Sequence, residues 1–205
     1  MTSAKPMRQS QLAGDPDPRW TAIATRDTRS DGHRPDRIPG ADIRFAIVKS
    51  ALGYLLVARS AKGVCAVLMG DSPSLLERDL RQRFPQVRFL GSHAHTESLA
   101  GEVARVVENP RLGLDLPLDV RGTAFQQRVW RALRQIAVGC TVSYAEVARR
   151  VGAPRSVRAV AQACAANPLA VLIPCHRVVR HDGALSGYRW GIERKRALLT
   201  LESCR

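Results

Sequence analysis

Val171-Leu-Ile-Pro-Cys-His-Arg-Val-Val179 sets a thiol, an imidazole and a guanidinium inside an apolar run. Largely β-branched residues flank Pro174-Cys175-His176-Arg177, which predicts a buried strand broken to hold the thiol. A cysteine placed this way reads as a nucleophile. Thiolates form at neutral pH beside a base, in cationic surroundings or at a helix N-terminus, and His176, Arg177 and Arg180 are near in sequence. Adjacent side chains of an extended segment point to opposite faces, so Cys175 and His176 need a bridging water or a bend at Pro174 to cooperate. For an arbitrary Cys-His pair another reading prevails, a small core hydrophobe beside a satisfied core histidine.

The preceding segment reads as helical. Thr123 to Ile136 puts Phe125, Val129, Leu133 and Ile136 on one stripe. Ser143-Tyr-Ala-Glu146 has the form of a capping box and opens a short helix over 144–151. After Gly152-Ala-Pro154, residues 155–165 resume with Val157, Val160, Ala161 and Cys164 inward. Two short helices about a Gly-containing turn have the pattern of a helix-turn-helix, and also of a plain helix hairpin. The outer face of the second helix offers Arg155, Ser156 and Arg158, and small Ala159, Ala163 and Ala166 permit close approach to a groove.

Further upstream the period changes to two. Ile43, Phe45 and Ile47 alternate, Tyr54 to Ala58 and Val64 to Met69 are apolar, and Gly53 and Ala61-Lys62-Gly63 break the chain between them. Three short strands in an antiparallel meander are predicted. Helices follow from Ser72-Pro73 to Phe84 and from Glu97 to Glu108. Residues 1–40, with five Pro and five Asp, read as a flexible tail.

The 205 residues are 45% hydrophobic and 24% charged, which excludes a disordered chain or a fibre and leaves room for one domain, or one with a small lobe. Without an apolar run of about 18 residues or an apolar leader in Met1–Gly14, a soluble cytoplasmic protein is expected. The net charge of +14 is concentrated: residues 121–205 hold fifteen basic residues, all but one Arg, against four acidic. Arg suits forked contacts to phosphate and base edges, so a polyanionic partner is expected. The five cysteines (65, 140, 164, 175, 204) lie too far apart for a Cys-x2-Cys zinc site, and no metal or cofactor is predicted.

Ile173-Pro-Cys-His-Arg-Val-Val179 resembles the active-site signature of the O6-alkylguanine-DNA alkyltransferases. Arg121-Gly-Thr-Ala-Phe-Gln-Gln127, Val142-Ser-Tyr144, Arg158-Ala-Val160, Ala165-Ala-Asn-Pro168 and Ser186-Gly-Tyr-Arg-Trp-Gly191 are similar to the same family in the same order. The likeness is greatest to the C-terminal repair domain of the bacterial adaptive-response protein and covers residues 43–205. It implies an α+β fold, with a ribonuclease-H-like lobe over 41–120 followed by a winged-helix-like catalytic lobe over 121–205.

By the same resemblance, Cys175 takes the alkyl group from O6 of guanine, or from O4 of thymine, and keeps it, so that each molecule acts once. His176 is the base through a water, Glu202 orients it, and Asn167 holds the turn before the active-site segment. The base must leave the duplex to reach a buried thiol. Arg158 is the finger that fills the vacated stack, with Arg155, Ser156 and Ala159 on the same recognition helix. Tyr144 crowds the target phosphate and protonates the leaving base. Pro174, Cys164, Val178, Tyr188, Arg189 and Trp190 form the alkylguanine pocket. The implied partner is double-stranded DNA, held from the minor groove with little sequence preference. The protein is expected to act as a monomer, with no protein partner.

Two departures are visible. Trp190 stands where mammalian members have a small residue, which predicts a pocket favouring methyl over benzyl. Asp17-Pro-Arg-Trp20 to Asp31-Gly32 looks like the opening of the adaptive-response protein, but the zinc cysteines that follow there are missing. Neither phosphotriester repair nor zinc-dependent gene activation is expected. A DNA-binding regulator without transfer would leave Pro174-Cys-His-Arg177 without purpose, and a Cys/His hydrolase would need an oxyanion hole that no Gly-rich segment offers.

Overall fold

The computed structural model describes residues 42–203. Expectations for residues 1–40 and Cys204 lie outside them. The alternating segments form β1 (Asp42–Ser50), β2 (Gly53–Ser60) and β3 (Gly63–Gly70), antiparallel neighbours as predicted. A fourth strand, β4 (Arg88–Leu90), pairs parallel with the start of β1 and gives the order β3-β2-β1-β4. Its three residues, Arg88-Phe89-Leu90, are too short to show a period, which is why the sequence pattern misses it. Helices α1 (Pro73–Arg83) and α2 (Ala94–Glu108) cover the sheet with Leu76 and Leu80, and with Leu99, Ala100, Val103 and Val107.

The remainder is helical: α3 (Ala124–Arg134), α4 (Tyr144–Arg150), α5 (Val157–Ala166) and α6 (Ile192–Ser203). Two-residue strands β5 (Val142–Ser143) and β6 (Val178–Val179) pair in parallel beneath them. Thr123 and Gln126 make a full capping box on α3. At α4 only half of one exists: Ser143 accepts from the Glu146 N–H, while the Glu146 carboxylate turns to Arg149 and Arg150. The inner face of α5 is Val160, Ala163 and Cys164. Val157, expected inside, is 36% exposed, and Ala163, expected outside, is buried with its carbonyl accepting from Trp130 Nε1 at 2.8 Å.

The outer edge of β3 joins the two halves. Val64 N–H donates to Pro117 O, and Val67 exchanges two bonds of 2.9 Å with the Pro168 carbonyl and the Ala170 N–H. Gly63 sits at φ +147°, and a Cβ there would lie 2.2 Å from Pro117 O, so only glycine allows the approach. One hydrophobic core runs from Ile43 through Val129 and Ile173 to Leu198. The chain leading to the thiol is therefore anchored on the sheet.

Candidate active site

Residues 171–173 are not a strand. Val171 takes φ +67°, outlying for a β-branched residue, and Leu172 N–H donates to Ala170 O at 2.7 Å. Cys175 N–H donates to Ile173 O at 2.7 Å, and Cys175–Arg177 form one turn of 3-10 helix. Successive tight turns replace the extended backbone, because the carbonyls here are claimed by a side chain. Asn167, fully buried, donates from Nδ2 to Ile173 O (2.8 Å) and to Cys175 Sγ (3.2 Å), and its Oδ1 accepts from Leu169 N–H (2.9 Å).

Cys175 is 4% exposed. Burial pushes its thiol up to about 11, against the pull of the Asn167 hydrogen bond and the charge of Lys195. The resting group is therefore a protected thiol. The flanking arginines expected to activate it do not: Arg180 is exposed and paired with Asp182, and Arg177 turns the other way. The cation acting on the sulfur is Lys195, from α6.

His176 and Glu202 are both buried, and Nε2 lies 2.8 Å from Oε1. Arg177 donates to the same carboxylate from Nε (3.1 and 3.0 Å) and Nη2 (2.8 Å), and from Nη1 to Ile136 O (2.5 Å). Burial would raise Glu202, but the hydrogen bonds and charges of His176 and Arg177 outweigh it and hold the carboxyl at about 2. An ionised Glu202 accepts a hydrogen bond from Nε2–H, leaving Nδ1 as the basic nitrogen. Nδ1 is buried with no hydrogen-bond partner, and burial lowers the imidazole pKa against the effect of Glu202. The result is a neutral, unengaged base one residue from the thiol.

Tyr188 and Trp190 meet edge to face at 5.1 Å, and Tyr188 meets His176 likewise at 6.4 Å. The Tyr188 hydroxyl and Trp190 Nε1 are buried without partners. Pro174, Cys164 and Val178 are each buried. Arg189, expected in the pocket, instead reaches from Nη1 to Ala165 O and from Nη2 to Asp79 on α1, tying the pocket loop to the other half of the molecule. Tyr144 opens α4, and its hydroxyl is 2.7 Å from Ser186 Oγ. Arg155 and Arg158 are exposed at the start of α5, with Ser156 and Ala159 half-buried beside them.

Two contributors escaped the sequence reading. Lys195 is fully buried, donating from Nζ to Val178 O (2.5 Å) and Ser186 Oγ (3.4 Å), and Ser186 had figured only as part of a longer motif. Among the described residues, no cluster of three or more His, Cys, Asp or Glu could hold a metal, and no helix is long and apolar enough to cross a membrane.

Residues 124–204 match the family described as 6-O-methylguanine DNA methyltransferase, DNA binding domain. The chain is 38% identical over 147 residues to the inducible methylated-DNA–protein-cysteine methyltransferase of Bacillus subtilis, over 71% of this chain and 82% of that protein. It is 50% identical over 161 residues to the bifunctional transcriptional activator/DNA repair enzyme Ada of Escherichia coli (strain K12), over 78% of this chain and 46% of Ada. Mycobacterium tuberculosis OGT, solved in complex with DNA, superposes with a TM-score of 0.64 at 36% identity, over 79% of this chain and 92% of that one. A small α+β protein with a buried cysteine followed in the chain by a buried histidine paired with a buried glutamate is the class that fold and site define. The chain belongs to the methylated-DNA–protein-cysteine methyltransferase family. It spans about half the length of Ada.

Proposed function

We propose that the chain repairs duplex DNA by taking the methyl group of O6-methylguanine, and of O4-methylthymine, onto its own Cys175, once per molecule. The observation that carries this reading is the buried, unengaged Nδ1 of His176, the residue next in the chain to the buried Cys175 thiol, backed through Nε2 by an ionised Glu202. A water between Nδ1 and Sγ passes the thiol proton to the imidazole, and Glu202 stabilises the imidazolium. The sulfur attacks the methyl carbon in line, the C–O6 bond breaks toward the purine, and the thioether has no leaving path.

Access requires the nucleotide to be extruded, since the sulfur is buried. Exposed Arg158 fills the gap in the stack from the minor groove, and Arg155 with Ser156 and Ala159 lies against the backbone. Tyr144 rotates the phosphate and gives its proton to the leaving base. Val178, Pro174 and Cys164 bound the base, with Tyr188 and Trp190 closing over it and Arg189 fixing their loop. Contacts chiefly to phosphate make binding insensitive to sequence and weaken it as salt rises. Functionally the chain divides at residues 41–120 and 121–205, and it works as a cytoplasmic monomer without a cofactor.

The test is to incubate the protein with an oligonucleotide carrying O6-methylguanine and weigh its peptides. A gain of one methyl on the peptide containing Cys175, lost in Cys175→Ser, is the expected result. Tight binding without mass gain would overturn the reading in favour of a regulator.

A further inference from the structure

Among the described residues, Lys195 is the largest side chain with no exposed surface. An ammonium group is costly to bury, and its position needs a reason. It has two acceptors: the Val178 carbonyl at 2.5 Å and the Ser186 hydroxyl at 3.4 Å. The carbonyl can hold a proton in place but has none to hand on. The hydroxyl can do both, and it lies 2.7 Å from the Tyr144 hydroxyl.

Donor and acceptor capacities allow this chain to run from Lys195 through Ser186 to Tyr144. An ammonium only donates, so Ser186 Oγ accepts from Lys195, and its own hydrogen is available to the Tyr144 oxygen 2.7 Å away. The Tyr144 hydrogen is then free to point elsewhere. Resting on the transferase reading above, we infer that Lys195, Ser186 and Tyr144 form a proton relay that neutralises the departing base. Breaking the C–O6 bond leaves the electron pair on the purine. The Tyr144 proton goes to a ring nitrogen, that of Ser186 to Tyr144, and one from Lys195 to Ser186, leaving a neutral amine.

The charges balance across the pocket. The thiol proton ends on His176, so one positive charge disappears at Lys195 and one appears beside Glu202. No tyrosinate is left in a site where burial already raises the Tyr144 hydroxyl above its ordinary range. Burial also lowers the basicity of Lys195, which favours release of its proton.

The experiment separates base departure from sulfur attack. Single-turnover methyl transfer from an O6-methylguanine oligonucleotide is compared with methylation of Cys175 by iodomethane, whose iodide leaves without a proton. Ser186→Ala should slow transfer from the base roughly tenfold to a hundredfold, up to the low end of general-acid assistance, and leave the iodomethane rate within about twofold. Lys195→Met should slow base transfer at least as much, and the double variant should be no slower than Lys195→Met, because both cut one chain. Equal slowing of both reactions in Ser186→Ala, or slowing of neither, overturns the relay. If the wild-type chain takes no methyl from DNA but accepts it from iodomethane, the transferase reading falls and the relay with it.

Discussion

Glu202, on the last turn of α6, lies 2.8 Å from His176 Nε2 and receives three further hydrogen bonds from Arg177, so one carboxylate orients the base and neutralises a buried guanidinium. Glu202→Ala leaves that guanidinium unpaired. The expected cost is about 3–5 kcal/mol in denaturant unfolding, as for other broken buried pairs. The pH dependence has a definite sign: the folded pKa, about 2, is below the ordinary 4.5, so the carboxylate's stabilisation is full above pH 4.5 and lost as pH falls toward 2. The stability gap between wild type and Glu202→Gln should shrink across that window. A gap that is constant from pH 5 to 2 would contradict the assignment.

His176 predicts the acid limb of the transfer reaction. Burial lowers its pKa from the ordinary 6.5, so the imidazole is still a base where a solvent-exposed one would be half protonated. Single-turnover methyl transfer at saturating DNA should hold its rate through pH 6.5 and decline only at lower pH. A midpoint above 6.5 would show that the imidazole is not the neutral group described.

Asn167 holds the backbone and the Cys175 thiol at once. Asn167→Ala removes donors from Ile173 O and Cys175 Sγ and orphans the Leu169 N–H, with an expected loss of roughly 2–4 kcal/mol. The thiol should also become harder to ionise than its present value of about 11. The pH dependence of Cys175 alkylation reads this directly, and an unshifted profile would mean that the Nδ2–Sγ contact has no electrostatic effect.

The helices and the meander were legible because their apolar residues recur at regular spacing, whereas β4 is too short to repeat. Cys175, His176 and Asn167 could be named, but their geometry could not: side-chain hydrogen bonds from Asn167 bend the backbone that β-branched residues suggested was extended. Arg177 and Arg180 were expected beside the thiol on sequence proximity alone. The actual cation was visible in the pattern, since Lys195, Leu198, Leu199 and Glu202 fall at positions i, i+3, i+4 and i+7 of one helix and all are buried. A Lys and a Glu on an otherwise apolar stripe point to partners in the core.

Arg158 is exposed, so it contributes little to folding, and on the function proposed above its contribution is to binding. Arg158→Ala should change unfolding stability by no more than about 0.5 kcal/mol. Transfer from duplex DNA should fall, while methylation of Cys175 by free O6-methylguanine base, which needs no extrusion, should not. Equal losses on both substrates would assign Arg158 to the chemistry and not to extrusion.

On the function proposed above, Trp190 limits the size of the alkyl group. Only 5% exposed, it packs edge-on against Tyr188, which in turn packs edge-on against the His176 ring. A methyl group passes these rings more readily than a benzyl group, and pocket shape of this kind typically discriminates by about 1–3 kcal/mol. Trp190→Ala should raise the rate with O6-benzylguanine relative to O6-methylguanine by roughly tenfold or more. The truncation also opens a core cavity, costing about 3–5 kcal/mol, so the comparison belongs at a temperature where the variant remains folded. The ratio of the two rates is unaffected by a smaller folded fraction. Rapid inactivation of the wild-type chain by O6-benzylguanine, or an unchanged ratio in Trp190→Ala, would remove Trp190 as the determinant of adduct size.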